Sequence, residues 1–397
     1  MHSEVALEDL FTIGSSKRVL KSQWKTDGIP FYRGREITRL ARDGYADNEL
    51  YISEELYSEY SEKYGTPKSG DIVITAIGTI GNSYIVREED EFYFKDASVL
   101  WLKKNTNTSS EFINLWFQSP FFKEQLDQGN GATVDTLTIS KLKSIVVNLP
   151  PQPEQLRIVA ILDEAFSGLS EACGNATKNL QNARDLFENY LHSVFTKGAD
   201  GWISTTLGEL CESVEYGTSA KSKALGKVAV LRMGNIQNRR FDWDNLVYTD
   251  DDKEIEKYLL KHNDVLFNRT NSPELVGKTA IYKSEMPAIF AGYLIRINRK
   301  ENLLDADYLN YYLNSRTAIN YGKTVVISSV NQANINGKKL KSYPISVPSM
   351  KEQKSIVEKI TALHQEVQTL ESIYKKKLNI LDELKQSLLH KAFSGNL

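Results

Sequence analysis

The sequence predicts an α+β protein in which two similar globular segments are separated by two long helices that form an antiparallel coiled coil. Three observations support this prediction. The chain has 397 residues and a mass of 45.0 kDa, which suits two or three domains rather than a single core. Sequence landmarks recur roughly 195 to 199 residues apart. Each half also ends in a heptad-like pattern of apolar residues.

The repeat keeps the same order of landmarks in both halves. It passes through paired strand-like stretches, turns and helix-like stretches, and it ends in an alignment that needs no gap. The matched pairs are IPFYRGREI (29–37) with VAVLRMGNI (228–236), IGNSYIV (80–86) with VGKTAIY (276–282), FINLWFQS (112–119) with YLNYYLNS (308–315), and LKSIVVNLPPQPEQLRIV (142–159) with LKSYPISVPSMKEQKSIV (340–357). The chain is therefore a tandem duplication.

The apolar pattern at the end of each half follows alternating steps of four and three. In the second half this stripe runs from Ile356 to Leu388 and includes Leu384. In the first half it includes four alanines and Leu186, so it has smaller residues than the second-half stripe. Small residues on one helix facing large ones on the other favour packing of the two helices together. Together with the duplication, this packing predicts approximate internal two-fold symmetry. We divide the chain into residues 1–152 (head 1), 153–197 (first helical spacer), 198–350 (head 2) and 351–397 (second helical spacer).

Composition limits the classes of protein and of partner. With 49 Lys and Arg against 51 Asp and Glu, the net charge is −2, whereas nucleic-acid binding normally shows as a basic excess. Residues 201–350 are the only clearly basic part, with 20 basic and 16 acidic residues. No stretch resembles a membrane span or a secretory signal, so we expect a cytoplasmic protein with no membrane partner. Cys173 and Cys211 are too few for a disulfide scaffold.

Sequence signatures of enzymes are incomplete in this chain. The GKT at 277–279 lacks the glycine that a phosphate-binding loop needs five positions earlier. The NLPP at 148–151 lacks the aromatic residue of the adenine-methyltransferase motif, and the five histidines show no metal-ligand spacing. We therefore expect no catalytic residue and no metal site.

Polar, basic and aromatic residues instead gather in the predicted turns of both heads. Two similar heads on a rigid spacer suit a two-part linear target, and double-stranded DNA is the obvious one. Arg can pair with guanine and Asn with adenine, while Lys and Thr mainly contact phosphates; the alternative for each residue is a solvated loop side chain. The candidate DNA contacts are Lys17, Lys21, Tyr32, Arg33, Arg35, Thr75 and Thr79 in head 1, and Lys221, Lys223, Arg232, Asn235, Arg269, Asn271 and Lys278 in head 2.

Four stretches carry a resemblance to a known family. They are the junctions LPPQPEQLRIVAILD (149–163) and VPSMKEQKSIVEKI (347–360), the closing SLLHKAFSGNL (387–397), and LRMGNI (231–236). Along essentially its whole length the chain resembles a specificity subunit of a type I restriction-modification enzyme. The first half departs from the pattern, since YLHSVFTKG (190–198) is not a full copy of the closing stretch and FYRGREI replaces the LRMGNI form.

The resemblance implies a non-catalytic subunit with no cofactor of its own. Heads 1 and 2 would be target-recognition domains that each read half of an asymmetric bipartite DNA sequence. The helices would dock two methyltransferase subunits, and translocase-nuclease restriction subunits would join them in the bacterial or archaeal cytoplasm. S-adenosylmethionine, ATP and Mg²⁺ would belong to these partners. The implied partner contacts are Glu154, Gln155, His192, Glu352, Gln353 and His390.

Two other functions remain open at this stage. One is a two-headed scaffold or adaptor that binds partners through its coiled coil. The other is a fused restriction-methylase polypeptide, which would require methyl transfer by this chain alone.

Overall fold

The computed structural model describes residues 3–126, 136–197, 201–329 and 332–397. The chain divides into two compact units. Unit 1 comprises Met1–Ala176 and Lys376–Leu397, and unit 2 comprises Thr177–Lys375. Each unit thus contains one globular segment and one part of each long helix.

Unit 1 contains two small sheets beside its helices. The first is antiparallel in the order β2-β8-β5-β6, and the second has the order β4-β3-β7 with β3 and β7 parallel. The strands are β1 (Ser3–Ala6), β2 (Phe11–Gly14), β3 (Ile29–Tyr32), β4 (Tyr51–Ile52), β5 (Ile72–Thr75), β6 (Ser83–Ile85), β7 (Tyr93–Phe94), β8 (Val99–Lys104) and β9 (Val146–Leu149). The helices are α1 (Leu7–Leu10), α2 (Gly34–Asp43), α3 (Glu54–Tyr64), α4 (Ser110–Trp116), α5 (Pro120–Leu126), α6 (Ile139–Lys143) and the long α7 (Gln152–Lys197), which continues into unit 2.

Unit 2 repeats this frame. Its larger sheet has the order β11-β20-β16-β18, and a second sheet, β15-β12-β19, again contains one parallel pair. The strands are β10 (Ile203–Thr206), β11 (Cys211–Tyr216), β12 (Val228–Leu231), β13 (Ile236–Gln237), β14 (Arg240–Phe241), β15 (Val247–Thr249), β16 (Val265–Asn268), β17 (Thr270–Asn271), β18 (Thr279–Ile281), β19 (Ala288–Phe290), β20 (Leu294–Arg299), β21 (Ile327–Ser329), β22 (Gln332–Asn334) and β23 (Pro344–Val347). The helices are α8 (Asp252–Tyr258), α9 (Ala306–Leu313), α10 (Arg316–Val325), α11 (Gly337–Lys341) and the long α12 (Met350–Phe393), which continues into unit 1.

In both units the first strand pairs with the strand that precedes a long helix. Ser3 lies opposite Leu149 in the antiparallel pair β1-β9, and Ile203 lies opposite Val347 in the pair β10-β23. Because β9 and β23 lead directly into α7 and α12, this pairing fastens the beginning of each globular segment to the start of a helix. The α+β repeat predicted from the sequence is confirmed.

The long helices run antiparallel within each unit. In unit 1 the Arg157 guanidinium donates a 2.9 Å hydrogen bond to the backbone carbonyl of Leu397. In unit 2 the Arg184 guanidinium lies 3.4 Å from the Glu371 carboxylate, and the ring of Phe187 stacks on His364 with centroids 4.6 Å apart. The beginning of α7 thus lies beside the segment that follows α12, and a later part of α7 lies beside the first half of α12, which is the antiparallel order that the coiled-coil prediction requires.

The predicted apolar stripe is wrong near the C-terminal end of each long helix. Leu186 and Leu384 are 54% and 45% exposed, although both were expected in the seam. Leu191 and Leu389, five residues further on, are fully buried. The stripe shifts because these turns pack against their globular segment as well as against the other helix: Leu191 joins the core of unit 2, and Leu389 joins that of unit 1.

This shift can be tested with two leucines of α12. Leu389→Ala should lower the free energy of unfolding of unit 1 by about 2–5 kcal/mol, because it leaves a cavity in the core. Leu384→Ala should change it by about 0.5 kcal/mol or less, because its side chain is largely in solvent. Urea unfolding followed by tryptophan fluorescence measures both values, and equal losses would show that the heptad positions carry the packing after all.

Candidate nucleic-acid interface

The turn after the parallel strand has the same geometry in both heads. Arg33 follows β3 and Arg232 follows β12, and each is the N-cap residue of a short helical segment. The Arg33 backbone N–H donates to the Glu36 carboxylate at 3.0 Å, and the Arg232 backbone N–H donates to the Asn235 Oδ1 at 2.9 Å. Different side chains therefore perform the same capping role at equivalent positions.

In head 1 the buried carboxylate of this turn pairs with two arginines of the same turn. The Glu36 side chain is fully buried, and the Arg33 guanidinium donates to it at 3.0 Å. Arg35 pairs with Glu36 and with the exposed Glu49. Burial alone would raise the pKa of Glu36, but the hydrogen bonds from Arg33 and Arg35 outweigh it and hold that pKa below its usual value. The two arginines thus neutralise a buried carboxylate of the fold, and their guanidinium groups are already paired.

In head 2 the equivalent residue is the neutral Asn235, so Arg232 has no buried charge to neutralise. The Asn235 side chain is buried, and its amide donates to the carbonyls of Asp242 and Asp244 at 3.1 and 3.2 Å. Arg232 is exposed and donates one 2.7 Å hydrogen bond to the Asn245 carbonyl. Arg232 therefore remains accessible to a ligand, whereas the expectation that Asn235 contacts DNA is corrected by its burial and its engaged amide.

Thr75 also lies inside the fold rather than on its surface. It is 1% exposed, donates its hydroxyl to the Thr79 carbonyl and accepts a 3.0 Å hydrogen bond from the Asn82 backbone N–H. Thr79 itself is exposed at the turn. The structure therefore assigns Thr75 to shaping this turn, against the expectation of a direct contact, and leaves Thr79 available.

Two of the candidate contacts are half-buried among aromatic rings. The Tyr32 ring lies 4.9 Å from that of Phe92, and burial raises the pKa of the Tyr32 hydroxyl. The Arg269 guanidinium lies 4.7 Å from the centre of the Tyr216 ring, and its Nη1 approaches the Gly292 carbonyl at 3.5 Å. Both side chains are held in one orientation by these contacts.

The remaining candidates lie at or near the surface. The Asn271 side chain accepts a 2.9 Å hydrogen bond from the Ser272 backbone N–H. Among the lysines, Lys21 and Lys221 are exposed, and the Lys17 ammonium lies 5.5 Å from the centre of the Tyr64 ring. Lys223 forms a 3.0 Å ion pair with Asp250, and the Lys278 ammonium lies 3.5 Å from the Gln237 side chain. These groups are scattered around both heads, and their DNA contacts remain predictions.

The expectation that Gln155 and Gln353 contact a partner is corrected, because both are buried in the head-to-helix junctions. Gln155 accepts from the Ser109 backbone N–H at 3.0 Å and donates to the Pro150 carbonyl at 2.8 Å. Gln353 accepts from the Asp305 backbone N–H at 2.9 Å and donates to the carbonyls of Leu303 and Pro348 at 2.9 and 3.0 Å. Each glutamine thus fastens the start of a long helix to the N-cap residue of α4 or α9.

The other predicted partner contacts keep a surface position. Glu154 pairs with Arg157 at 2.7 Å, and Glu352 accepts a 3.1 Å hydrogen bond from the Trp202 indole. The His192 ring lies 3.1 Å from the Thr196 hydroxyl, and the exposed His390 stacks on Phe121 with centroids 5.1 Å apart.

Within the four described ranges, no group of three or more His, Cys, Asp or Glu side chains could hold a metal ion. Of the helices described, none is long and apolar enough to cross a membrane.

Comparison with known proteins identifies similar sequences. A family model described as the type I restriction modification DNA specificity domain matches residues 2–174 and 199–379. A relative from Haemophilus influenzae is 32% identical over 198 residues, which is 48% of this chain and 49% of that protein. The type I restriction enzyme EcoKI specificity subunit of Escherichia coli is 24% identical over 312 residues, which is 72% of this chain and 66% of that protein. The matches therefore span about half to two thirds of these relatives.

Solved structures share the fold at low sequence identity. A chain from a structure concerned with complex assembly and conformational transition of the type I R-M system aligns with a TM-score of 0.79 and 19% identity, covering 100% of this chain and 98% of that one. The HsdS subunit from Thermoanaerobacter tengcongensis aligns with a TM-score of 0.57 and 19% identity, covering 100% and 97%.

The different tasks of the two N-cap arginines can be tested by matched substitutions. Arg33→Ala should destabilise unit 1 by roughly 1–3 kcal/mol, because the buried Glu36 carboxylate loses a donor. Arg232→Ala should cost unit 2 less than about 1 kcal/mol, because only one exposed hydrogen bond is lost. Urea unfolding of both variants at neutral pH measures the difference.

The same comparison has a defined pH dependence. The folded-state pKa of Glu36 is depressed, so its ionised form stabilises unit 1 above the ordinary pKa of a carboxyl group. This stabilisation is lost as the pH falls through the depressed pKa, and the cost of Arg33→Ala should shrink with it. A cost that stays constant as the pH falls would contradict the role given to the ion pair.

The glutamine clamps predict a second pair of effects. Gln155→Ala and Gln353→Ala should each destabilise the unit concerned by roughly 1–3 kcal/mol, because buried backbone groups lose their partners. The exposed neighbour Lys354 provides a control, and Lys354→Ala should change stability by about 0.5 kcal/mol or less. Unchanged unfolding midpoints for the glutamine variants would argue against the clamp.

Proposed function

Since the chain belongs to the specificity subunits of type I restriction-modification systems, we propose that it reads a bipartite double-stranded DNA target for an assembled enzyme. Heads 1 and 2 each read one half of the target, and the two halves differ in sequence. The chain supplies recognition, while methyltransferase and restriction subunits supply the chemistry together with S-adenosylmethionine, ATP and Mg²⁺.

The observation that carries this proposal is a shared frame with different surface chemistry. The glutamine clamps and the sheet orders recur in both units. At the equivalent turn, however, head 1 holds Arg33 against a buried carboxylate, whereas head 2 exposes Arg232. Two surfaces of one fold that present different side chains are suited to two different half-sites, because base edges are read by individual side chains.

Apolar side chains on α12 support the docking of partner subunits. Leu370 and Ile373 are exposed in unit 2, and Ile380 and Leu384 are exposed in unit 1. Within each pair the two side chains are three or four residues apart, so they lie on the same face of the helix and form an exposed apolar patch. Such patches are typical of protein–protein interfaces. We therefore assign the outer surfaces of the helices to two methyltransferase subunits, which the restriction subunits join.

Exchange of one head tests whether the heads read independently. Residues 3–149 should be replaced by the corresponding segment of a relative, which leaves α7, Gln155 and its Pro150 partner in place and takes the backbone N–H that Ser109 supplies from the relative. One half of the methylated sequence should then change and the other half should persist, because the loops of head 2 are untouched. Methylome sequencing of cells that carry the exchanged chain and its partner subunits gives the result.

The wild-type and exchanged chains, with and without their partner subunits, also distinguish the competing functions. Binding of the assembled complex to a bipartite sequence supports the proposal, and simultaneous change of both half-sites after the exchange contradicts independent reading. Partner binding with no DNA preference in a gel shift would favour the scaffold or adaptor. Methyl transfer by the isolated chain would favour the fused enzyme.

A further inference from the structure

Each unit contains a cleft that is built from equivalent repeat positions. The cleft of unit 1 has a volume of about 420 Å³ and is lined in part by Asn82, Gln118 and Gln386. The cleft of unit 2 has a volume of about 950 Å³ and is lined by the equivalents of these residues, Lys278, Asn314 and Glu188. In both clefts a turn of the head, the segment before a short helix and a long helix contribute to the wall. A shared frame thus places a cleft at the same location in both units.

The turn in this wall has the same backbone conformation in both units. Gly81 and Gly277 both have φ of +93°, a conformation that side chains rarely adopt. A Cβ on Gly81 would also lie 3.0 Å from the Phe122 ring. In unit 1 the turn is tied by the Asn82 amide, which donates to the Thr38 hydroxyl at 3.0 Å and to the Thr79 carbonyl at 3.3 Å. The polar edge of the cleft is therefore built in advance.

The two clefts differ in charge. Arg42, Lys123 and Lys385 line the cleft of unit 1, and none of the described residues in its wall is acidic. In unit 2 three of the four cations lie beside acids of the cleft: Arg184 and Lys375 lie 3.4 and 3.2 Å from Glu371, and Arg239 pairs with Glu188. The fourth, Lys278, lies 3.5 Å from the neutral Gln237 side chain. The described wall of the unit 1 cleft therefore carries three cations and no acid, whereas that of the unit 2 cleft carries four cations and three acids.

The cations of unit 1 retain charge that can act in the cleft. The Lys385 ammonium lies 5.1 Å from the centre of the Phe166 ring, which orients it without neutralising it. Among the described residues, Lys123 forms no ion pair with a carboxylate. Arg42 pairs at 2.7 Å with Asp43, a residue that does not line the cleft. Two lysines and a hydroxyl- and amide-bearing turn thus face one space.

We propose that the cleft of unit 1 binds the phosphate backbone of duplex DNA and positions head 1 without reading sequence. This inference rests on the proposed function, since DNA is the ligand. The chemistry fits phosphodiester groups, because lysine ammonium groups contact phosphates as point charges, and Thr79 and Asn82 add hydroxyl and amide groups beside them. The site also explains how a head with more acidic than basic residues can hold DNA.

The experiment uses the full chain assembled with its partner subunits. The double variant Lys123→Gln/Lys385→Gln removes two charges from the cleft, and Lys143→Gln/Lys391→Gln removes two charges from unit 1 at positions that do not line it. Fluorescence anisotropy measures binding to the target duplex and to a scrambled duplex between about 50 and 200 mM salt. The cleft variant should weaken both duplexes by a similar factor of about tenfold or more at low salt. Its plot of log affinity against log salt should be shallower by about one to two, because each phosphate contact contributes about 0.9 to the slope.

The control and rescue variants decide between outcomes. The control pair should keep the wild-type slope, and Lys123→Arg/Lys385→Arg should restore it, because arginine also binds phosphate. A wild-type slope in the glutamine variant, or weakened binding of the target duplex alone, would overturn the phosphate cleft while leaving the proposed function intact. Failure of the wild-type complex to bind any DNA would overturn both.

Discussion

The structure depends on one buried hydrogen-bond arrangement that occurs twice. A long helix that begins directly after a strand needs a fixed direction relative to its globular segment, and a buried glutamine provides it. Gln155 and Gln353 each join the N-cap residue of a short helix to a proline carbonyl just before the long helix. Because the glutamine side chains and the proline carbonyls are buried, losing a bond between them leaves an unsatisfied polar group in the interior. The glutamine at each junction is therefore a structural requirement of the frame.

A frame fixed in this way tolerates different chemistry in its loops. The buried position three residues after the N-cap arginine is a glutamate in head 1 and an asparagine in head 2. Both cap the turn, but the glutamate carries a charge that has to be neutralised by nearby arginines, whereas the asparagine satisfies backbone carbonyls. The difference between glutamate and asparagine at this buried position thus accompanies a difference in the neighbouring arginine, which is paired inside the fold in head 1 and exposed in head 2. Surface specificity in such a protein can change without any change in the sheets or clamps.

The sequence was sufficient for the α+β class, the duplication and the two long helices, because these depend on periodicity and on landmarks that repeat. The fate of individual side chains depends on tertiary packing, which periodicity does not encode. Leu384 fits the heptad and is exposed, whereas Leu389 breaks it and is buried, since a globular segment packs there. Arg33 and Arg232 align in the repeat but differ in their partners. The Arg-x-x-Glu spacing of Arg33 and Glu36 was a capping signal that could have revealed this difference.

Net charge is a poor guide to nucleic-acid binding when charges are unevenly placed. At physiological salt the screening length is about 8 Å, so a phosphate responds mainly to the groups beside it rather than to the total of the chain. The overall charge of −2 includes carboxylates that are buried and neutralised within the fold, such as the Glu36 partner of Arg33. It also includes acids that pair with most of the cations in the cleft of unit 2. The cleft of unit 1 has cations and, along its described wall, no such acids. A phosphate there would meet a positive local potential even though the chain as a whole is slightly acidic.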